Sequence, residues 1–457
     1  MKRRHFLSAT VAATGTSLLR LPTVRAAGAN ERIRIGVIGC GDRGRYVAER
    51  FARVKNVEIA MGSDVYDLKW GRLRNQLGIE CETVQDFRRV LDRKDIDAVI
   101  VATPDHWHAI PTVLACEAGK DVYVEKPLAH NIVEGRAMLN AARRHERVVQ
   151  TGLQQRSAKH FTTIRKLIAG GQIGNVRFVR IWNFKNTSRS KPKTDFPTKK
   201  ASKPAGLDWD MFLGPAPFVA YDEDRYEDFR RYWDYAGGIA TNYGTHRFDS
   251  FRHAMSLEGK SPKTVSAVGS RFEVHDGSED PDVVQMTFEY DDFVLTYEGC
   301  MTNAFGSGFR TPGRPYYRML GQKDRPHGMA FYGTDGAIFA DRLGFELYPE
   351  LKPGERTDRI RPQEIKDHMF RTKAVDGRSD ESTFEHARNF VECIRSRRNP
   401  AADIAEGHAS SILPHLGNIA CRTGAKLQWN GDTEQIENSK EAAELLGRDA
   451  RKPWDLI

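Results

Sequence analysis

Ile33-Arg34-Ile35-Gly36-Val37-Ile38-Gly39-Cys40-Gly41-Asp42-Arg43-Gly44 is the stretch whose reading decides the fold. Ile33 to Ile38 is short and mostly apolar, the pattern of a buried strand. It runs into a G-x-G-x-x-G loop (Gly39, Gly41, Gly44), and a helical stretch follows to about Arg53. A glycine pattern alone is weak, but strand, loop and helix together are the context that a dinucleotide-binding turn requires. Glycines let the backbone approach a pyrophosphate, which then sits at the positive end of the following helix. Asp42 and Arg43 lie within the loop and share that candidacy. A second strand, Val57 to Met61, leads to Asp64, about 20 residues past the loop, where an acidic group accepts hydrogen bonds from the adenosine ribose. A carboxylate there repels a 2′-phosphate, so NAD is expected rather than NADP.

Strand and helix keep alternating. Asp97 to Ala102 is a strand ending in Thr103-Pro104-Asp105-His106-Trp107-His108, Asp121 to Val124 ends in Glu125-Lys126-Pro127, and Val148 to Gly152 is a third. In a doubly wound sheet, ligands bind at the carboxyl ends of strands. Thr103, Pro104, His106, His108, Glu125 and Lys126 are therefore candidates to line the cofactor. His106 and His108 lack further ligands at metal spacing, so no metal is expected.

Upstream, Arg3-Arg4 precedes an uncharged stretch, Leu7 to Leu19, and small residues at Ala26, Ala27, Gly28 and Ala29. This is the layout of a secretory signal with the paired arginines of the twin-arginine route. The stretch is too short to cross a bilayer, which takes roughly 20 apolar residues. The reading implies cleavage after Ala26 or Ala29, the export machinery as a partner, and a periplasmic or other extracytoplasmic address. Residues 1–29 are the signal, 30–155 the nucleotide domain and 156–457 a substrate and oligomerisation domain. Losing Lys2, Arg3, Arg4, Arg20 and Arg25 with the leader lowers the formal charge from +9 to +4. That is too mild to argue for nucleic acid, and no recognition-helix or zinc-finger pattern appears. The scattered cysteines (40, 81, 116, 300, 393, 421) have no CxxC spacing; an oxidising compartment permits a disulfide, but the sequence cannot pair them.

Beyond about Gln155 the chain becomes rich in β-branched and aromatic residues. Arg177 to Phe184, Val283 to Tyr290 and Phe293 to Gly299 read as strands, the last two forming a hairpin around Asp291-Asp292. Shorter pieces recur at Met329 to Tyr332 and Ala337 to Ala340. The expected fold is α/β: a doubly wound Rossmann sheet, then an α+β domain on a large, mainly antiparallel open sheet. Phe384, Ala387, Phe390, Val391 and Ile394 recur at helical spacing as core packing. The basic stretch from Lys185 to Lys203 reads as a solvated loop or, alternatively, as a flap favouring acidic sugars.

The glycine loop, the T-P-x-x-x-H turn and Glu125-Lys126-Pro127 together resemble the Gfo/Idh/MocA oxidoreductase family. So do Gln154-Gln155-Arg156, Leu207 to Pro215, His386 to Phe390 and Gly417 to Ala420. The resemblance implies a carbohydrate substrate, self-association into a homo-oligomer, and catalysis by the lysine of E-K-P and a downstream histidine. Lys126 and His246 inherit that role, with Arg156, Asn242 and Tyr243 as substrate contacts. Asn242 stands where the family usually has Asp and would pair helically with His246; an amide orients a hydroxyl but takes no proton. Tyr243-Gly244-Thr245-His246 is also similar to the Y-x-T-H of NAD-dependent N-acetylgalactosaminidases. Three functions follow. One is NAD-dependent oxidation of a sugar, polyol or glycoside. The second is a redox-neutral glycosidase or lyase that oxidises a hydroxyl transiently and returns the hydride. The third, a binding protein that lost its chemistry, sits poorly with retained Lys126, His246 and Asp64.

Overall fold

The computed structural model describes residues 32–185, 202–272, 277, 279–303, 326–353, 371–373 and 375–455. The expected signal, residues 1–29, and most of the basic stretch between Lys185 and Lys203 lie outside the described residues.

Six short strands form the first sheet: β1 (Ile33–Ile38), β2 (Val57–Ser63), β3 (Glu82–Val84), β4 (Ala98–Val101), β5 (Asp121–Val124) and β6 (Val149–Thr151). Every pairing is parallel, in the order β3-β2-β1-β4-β5-β6. Strands buried on both faces need apolar residues throughout rather than alternation; β4 and β5 are buried along their whole length. The order reverses between β1 and β4, which opens a crevice at their carboxyl ends.

One face of this sheet holds a surprise. Ile35, Val37, Ile100 and Tyr123 pack against Val47 and Phe51 of the helix Asp42–Ala52, and also against Ala387, Phe390 and Val391 of the helix Ser382–Ser396. Phe390 lies edge-on to Phe51 at 5.8 Å and to Tyr123 at 6.0 Å. The apolar stripe read from Phe384 to Ile394 is core packing, but the core is that of the nucleotide half. Burying a phenylalanine contributes roughly 1.5–3 kcal/mol, so this late helix secures the sheet that opens the chain.

The second sheet contains β7 (Val176–Phe184), β8 (Thr264–Ser270), β9 (Val283–Glu289), β10 (Val294–Cys300), β11 (His327–Gly333), β12 (Gly336–Ala340), β13 (Gly344–Pro349), β14 (Val375–Arg378), β15 (Leu427–Asn430) and β16 (Gln435–Ile436). It is mainly antiparallel; among the described pairings, only β7 with β10 runs parallel. Alternation sorts its faces. Val179, Ile181, Leu295, Tyr297, Met329 and Phe331 point into a core closed by the helices Lys159–Ala169, Thr245–Ala254 and Ile404–Thr423. The opposite face carries Trp182, Ala330 and Phe339 beside an Arg180–Glu298 ion pair. The helix Thr245–Ala254 has nine of its ten residues buried, which fixes whatever it presents toward the nucleotide half.

Candidate active site

The crevice between β1 and β4 is a cleft of about 340 Å³ lined by Gly39, Gly41, Asp42, Arg43, Asp64, Thr103 and Pro104. Its glycines meet three different demands. Gly39 has φ +92, and a Cβ there would stand 2.6 Å from the Ala102 carbonyl carbon. A Cβ on Gly44 would overlap the Gly39 carbonyl oxygen, whereas one on Gly41 would meet nothing within 4 Å. The first and last glycines thus let loop, strand and helix close up, and the middle one leaves backbone open to a ligand. Gly41 also caps the helix Asp42–Ala52 without any side-chain bond to its first amides, which leaves donors for a phosphate. Asp64 accepts the amides of Cys40 (2.8 Å) and Tyr66 (3.0 Å), and burial pushes its carboxyl up to about 6. These features fit a dinucleotide.

A second cavity of about 230 Å³ shares Arg43, Ala102, Thr103 and Arg230 with the first, so the two adjoin. It is lined by Lys126, His108, Glu125, Asn242 and His246. Lys126 Nζ donates to the Asn242 carbonyl (2.7 Å) and to Asn242 Oδ1 (3.0 Å). Burial lowers its ammonium to about 8, against the opposing pull of Asp105 and Glu125. His246 is pressed well below its ordinary value by burial and then by Arg342, Lys126 and Arg43, so it is neutral at pH 7. Its Nδ1 is buried without a hydrogen-bond partner among the described residues. Tyr243 accepts from Lys185 Nζ at 2.7 Å.

Asn242 and His246 do not form a plain α-helical pair. Ala240–Gly244 is a π turn that runs into the helix Thr245–Ala254. Such turns widen the spacing and concentrate at functional sites; here both residues still line one cavity.

Several candidates have other work. Glu125 Oε1 accepts from Arg43 Nε at 2.7 Å, which ties the E-K-P turn to the glycine loop. His108 presents Nδ1 to the Pro127 carbonyl (2.7 Å) and Nε2 to that of Thr103 (3.0 Å), stapling two strand ends together. His106 does not line either cavity. It is buried against Tyr235 and Phe212, with Nε2 on the Phe212 carbonyl at 2.9 Å, and burial holds it down at about 3. Arg156 likewise lines neither cavity. Its Nε donates to Asp249 (2.7 Å) and one terminal nitrogen to Glu406 (2.9 Å), a buried network between helices. Two carboxylates in reach outcompete a sugar hydroxyl for those donors.

The sequence reading overlooked Asp105, Arg230 and Arg342 in the inner cavity, and Met211, Phe212, Tyr226 and Phe229 on the wall of the cleft. Asp105 is 4% exposed, its carboxyl is raised by burial, and its Oδ2 has no hydrogen-bond partner among the described residues. Its place in the T-P turn was the available signal.

Comparison with known proteins agrees with the geometry. Residues 33–153 match the model of an oxidoreductase family with an NAD-binding Rossmann fold, and residues 158–302 and 373–456 match the C-terminal alpha/beta domain of the same family. The chain belongs to the GFO/IDH/MocA oxidoreductase family. Curated relatives include the uncharacterized oxidoreductase YrbE of Bacillus subtilis, 25% identical over 57% of this chain and 64% of its own length. Myo-inositol 2-dehydrogenase of Thermotoga maritima is 27% identical over 33% of this chain and 44% of its own. Glycosyl hydrolase family 109 protein 1 of a Shewanella strain is 31% identical over 26% of this chain and 27% of its own. The chain therefore matches less than two thirds of the length of each of these relatives. The GFO/IDH/MocA fold is shared with a solved structure of levoglucosan dehydrogenase in complex with NADH and levoglucosan. Its TM-score is 0.62 at 17% identity, covering 87% of this chain and 99% of that one.

Among the described residues, no three His, Cys, Asp or Glu side chains gather as a metal site, and all six cysteines are free thiols. No described helix is long and apolar enough to cross a membrane.

Proposed function

We propose that this GFO/IDH/MocA protein is an exported oxidoreductase that acts on a CH-OH carbon of a sugar, polyol or glycoside and carries its NAD inside the fold. The observation that carries the reading is the convergence of Lys126, Asn242 and His246 in one cavity that adjoins the nucleotide cleft across Arg43, Ala102, Thr103 and Arg230. NAD bound in that cleft supplies the hydride acceptor. The chain supplies the rest. Lys126, lowered to about 8, takes the hydroxyl proton; Asn242 holds the lysine and orients the hydroxyl; neutral His246 offers a ring nitrogen to the sugar. The Arg43–Glu125 ion pair ties the E-K-P turn to the glycine loop.

Export follows from Arg3-Arg4 and the leader. A compartment outside the inner membrane is not expected to hold free NAD, so the nucleotide would travel with the folded protein. Self-association belongs to the same proposal. The second reading, a redox-neutral glycosidase or lyase, is favoured by Tyr243-Gly244-Thr245-His246 and by captivity of the nucleotide. Purified mature protein settles the choice. Nucleotide is released from it and quantified, and the protein is screened with a glycoside panel for both reduced-nicotinamide absorbance and cleavage products. Net oxidation leaves the absorbance; cleavage without it means the redox-neutral cycle. Protein free of nucleotide would contradict the captive cofactor.

A further inference from the structure

The inner cavity holds more positive charge than its own carboxylates absorb. Arg43 is bound to Glu125, and Lys126 faces Asp105. Arg230 and Arg342 line the same cavity with no carboxylate at ion-pair distance among the described residues. Arg230 lies over the Phe229 ring at 4.3 Å and also lines the nucleotide cleft. Arg342 lines the inner cavity alone.

Arg342 is also positioned rather than loose. It stands on the turn between β12 and β13, where Asp341 Oδ1 accepts the amides of Leu343 (2.7 Å) and Gly344 (3.2 Å). In the orientation that satisfies its neighbours, the Gln155 amide donates to Ser250 Oγ (2.6 Å) and to the His246 carbonyl (3.2 Å), while its oxygen accepts Arg342 Nε at 3.3 Å. The guanidinium is thereby anchored at Nε beside the helix turn that presents His246, with both terminal nitrogens left for a ligand. A planar fork of N–H donors matches a carboxylate or a sulfate better than a neutral hydroxyl.

We propose that the sugar taken by this site carries an anionic group, a carboxylate or a sulfate, and that Arg342 grips it next to the reacting hydroxyl. The inference rests on the carbohydrate reading of the cavity and adds the substrate class. Hydrogen bonds to a charged partner correspond to roughly a ten- to hundredfold preference in kcat/KM.

The test compares methyl glucuronide with methyl glucoside, methyl galacturonide with methyl galactoside, and the 6-O-sulfated forms with both. Calorimetric binding and turnover are measured on the NAD-loaded mature enzyme, with Arg342→Gln and Arg342→Met as two neutral variants. Wild type is expected to favour an anionic member by roughly ten- to hundredfold, and the ratio to fall toward one in whichever variant folds. The better anion, planar or tetrahedral, identifies the group. Turnover confined to neutral sugars, or an unchanged ratio in a folded variant, overturns this inference and leaves the carbohydrate reading standing. No binding or turnover of any sugar overturns both.

Discussion

Replacing Asn242 by Asp places a carboxylate beside Lys126, and the structure gives the expected consequence a size. Asn242 Oδ1 lies 3.0 Å from Lys126 Nζ. A unit charge at that separation, at an effective dielectric of about 20, interacts by about 5.5 kcal/mol, equivalent to about four pH units and an upper bound here. The new carboxylate must itself be desolvated, which offsets part of that gain. An opposite charge this close ordinarily moves a pKa by roughly one to three. Lys126 begins at about 8. The sign is fixed: a carboxylate favours the ammonium, so the fraction of neutral lysine at pH 7 falls, by about a hundredfold for a rise of about two. The assay is the pH dependence of kcat/KM for wild type and Asn242→Asp on any sugar turned over, with nucleotide content checked in both. The midpoint of the rising limb should move upward. An unmoved midpoint would refute the assignment of Lys126 as the proton acceptor. Faster turnover at neutral pH would also refute it, because it would mean that a carboxylate at 242 does the work better.

Three further outcomes are expected. Gly44→Ala pushes its Cβ into the Gly39 carbonyl, so the variant should purify with little nucleotide; full NAD content would show that the loop does not close on the cofactor. Asp64 has its carboxyl raised to about 6, so proton uptake below that pH removes an acceptor for the ribose hydroxyls. NAD retention in equilibrium dialysis should therefore fall as pH drops through 6 in wild type, and stay flat across that range in Asp64→Asn. Asp105 favours the Lys126 ammonium, so Asp105→Asn should move the kcat/KM midpoint below about 8; an unmoved profile would mean that Asp105 is already protonated at working pH.

What could be read from the chain was whatever local spacing dictates. Ile33 to Gly44 states its own structure, because an apolar run, three glycines and a helix start constrain one another within a dozen residues. Glu125 and Lys126 were legible for the same reason, standing at a strand end where ligands gather. Arg342 was not, since a β-turn in the second sheet carries no signature and only folding brings it to His246. Arg156 misled in the opposite way. Its motif drew attention, but Asp249 and Glu406, far along the chain, had already claimed its donors. His106 failed because burial, invisible in a short polar turn, turned it inward. The π turn at Ala240–Gly244 and the docking of Phe390 on the first sheet likewise depend on contacts between segments hundreds of residues apart or on packing that periodicity does not report.

The account stands or falls on Lys126. Lys126→Ala removes the lysine amine that lines the inner cavity and leaves the glycine loop, Asp64 and the Arg43–Glu125 pair untouched. Turnover and bound nucleotide should be measured on the same purified sample. Turnover lost with NAD content equal to wild type is the expected result; near-normal turnover would contradict the site proposed here.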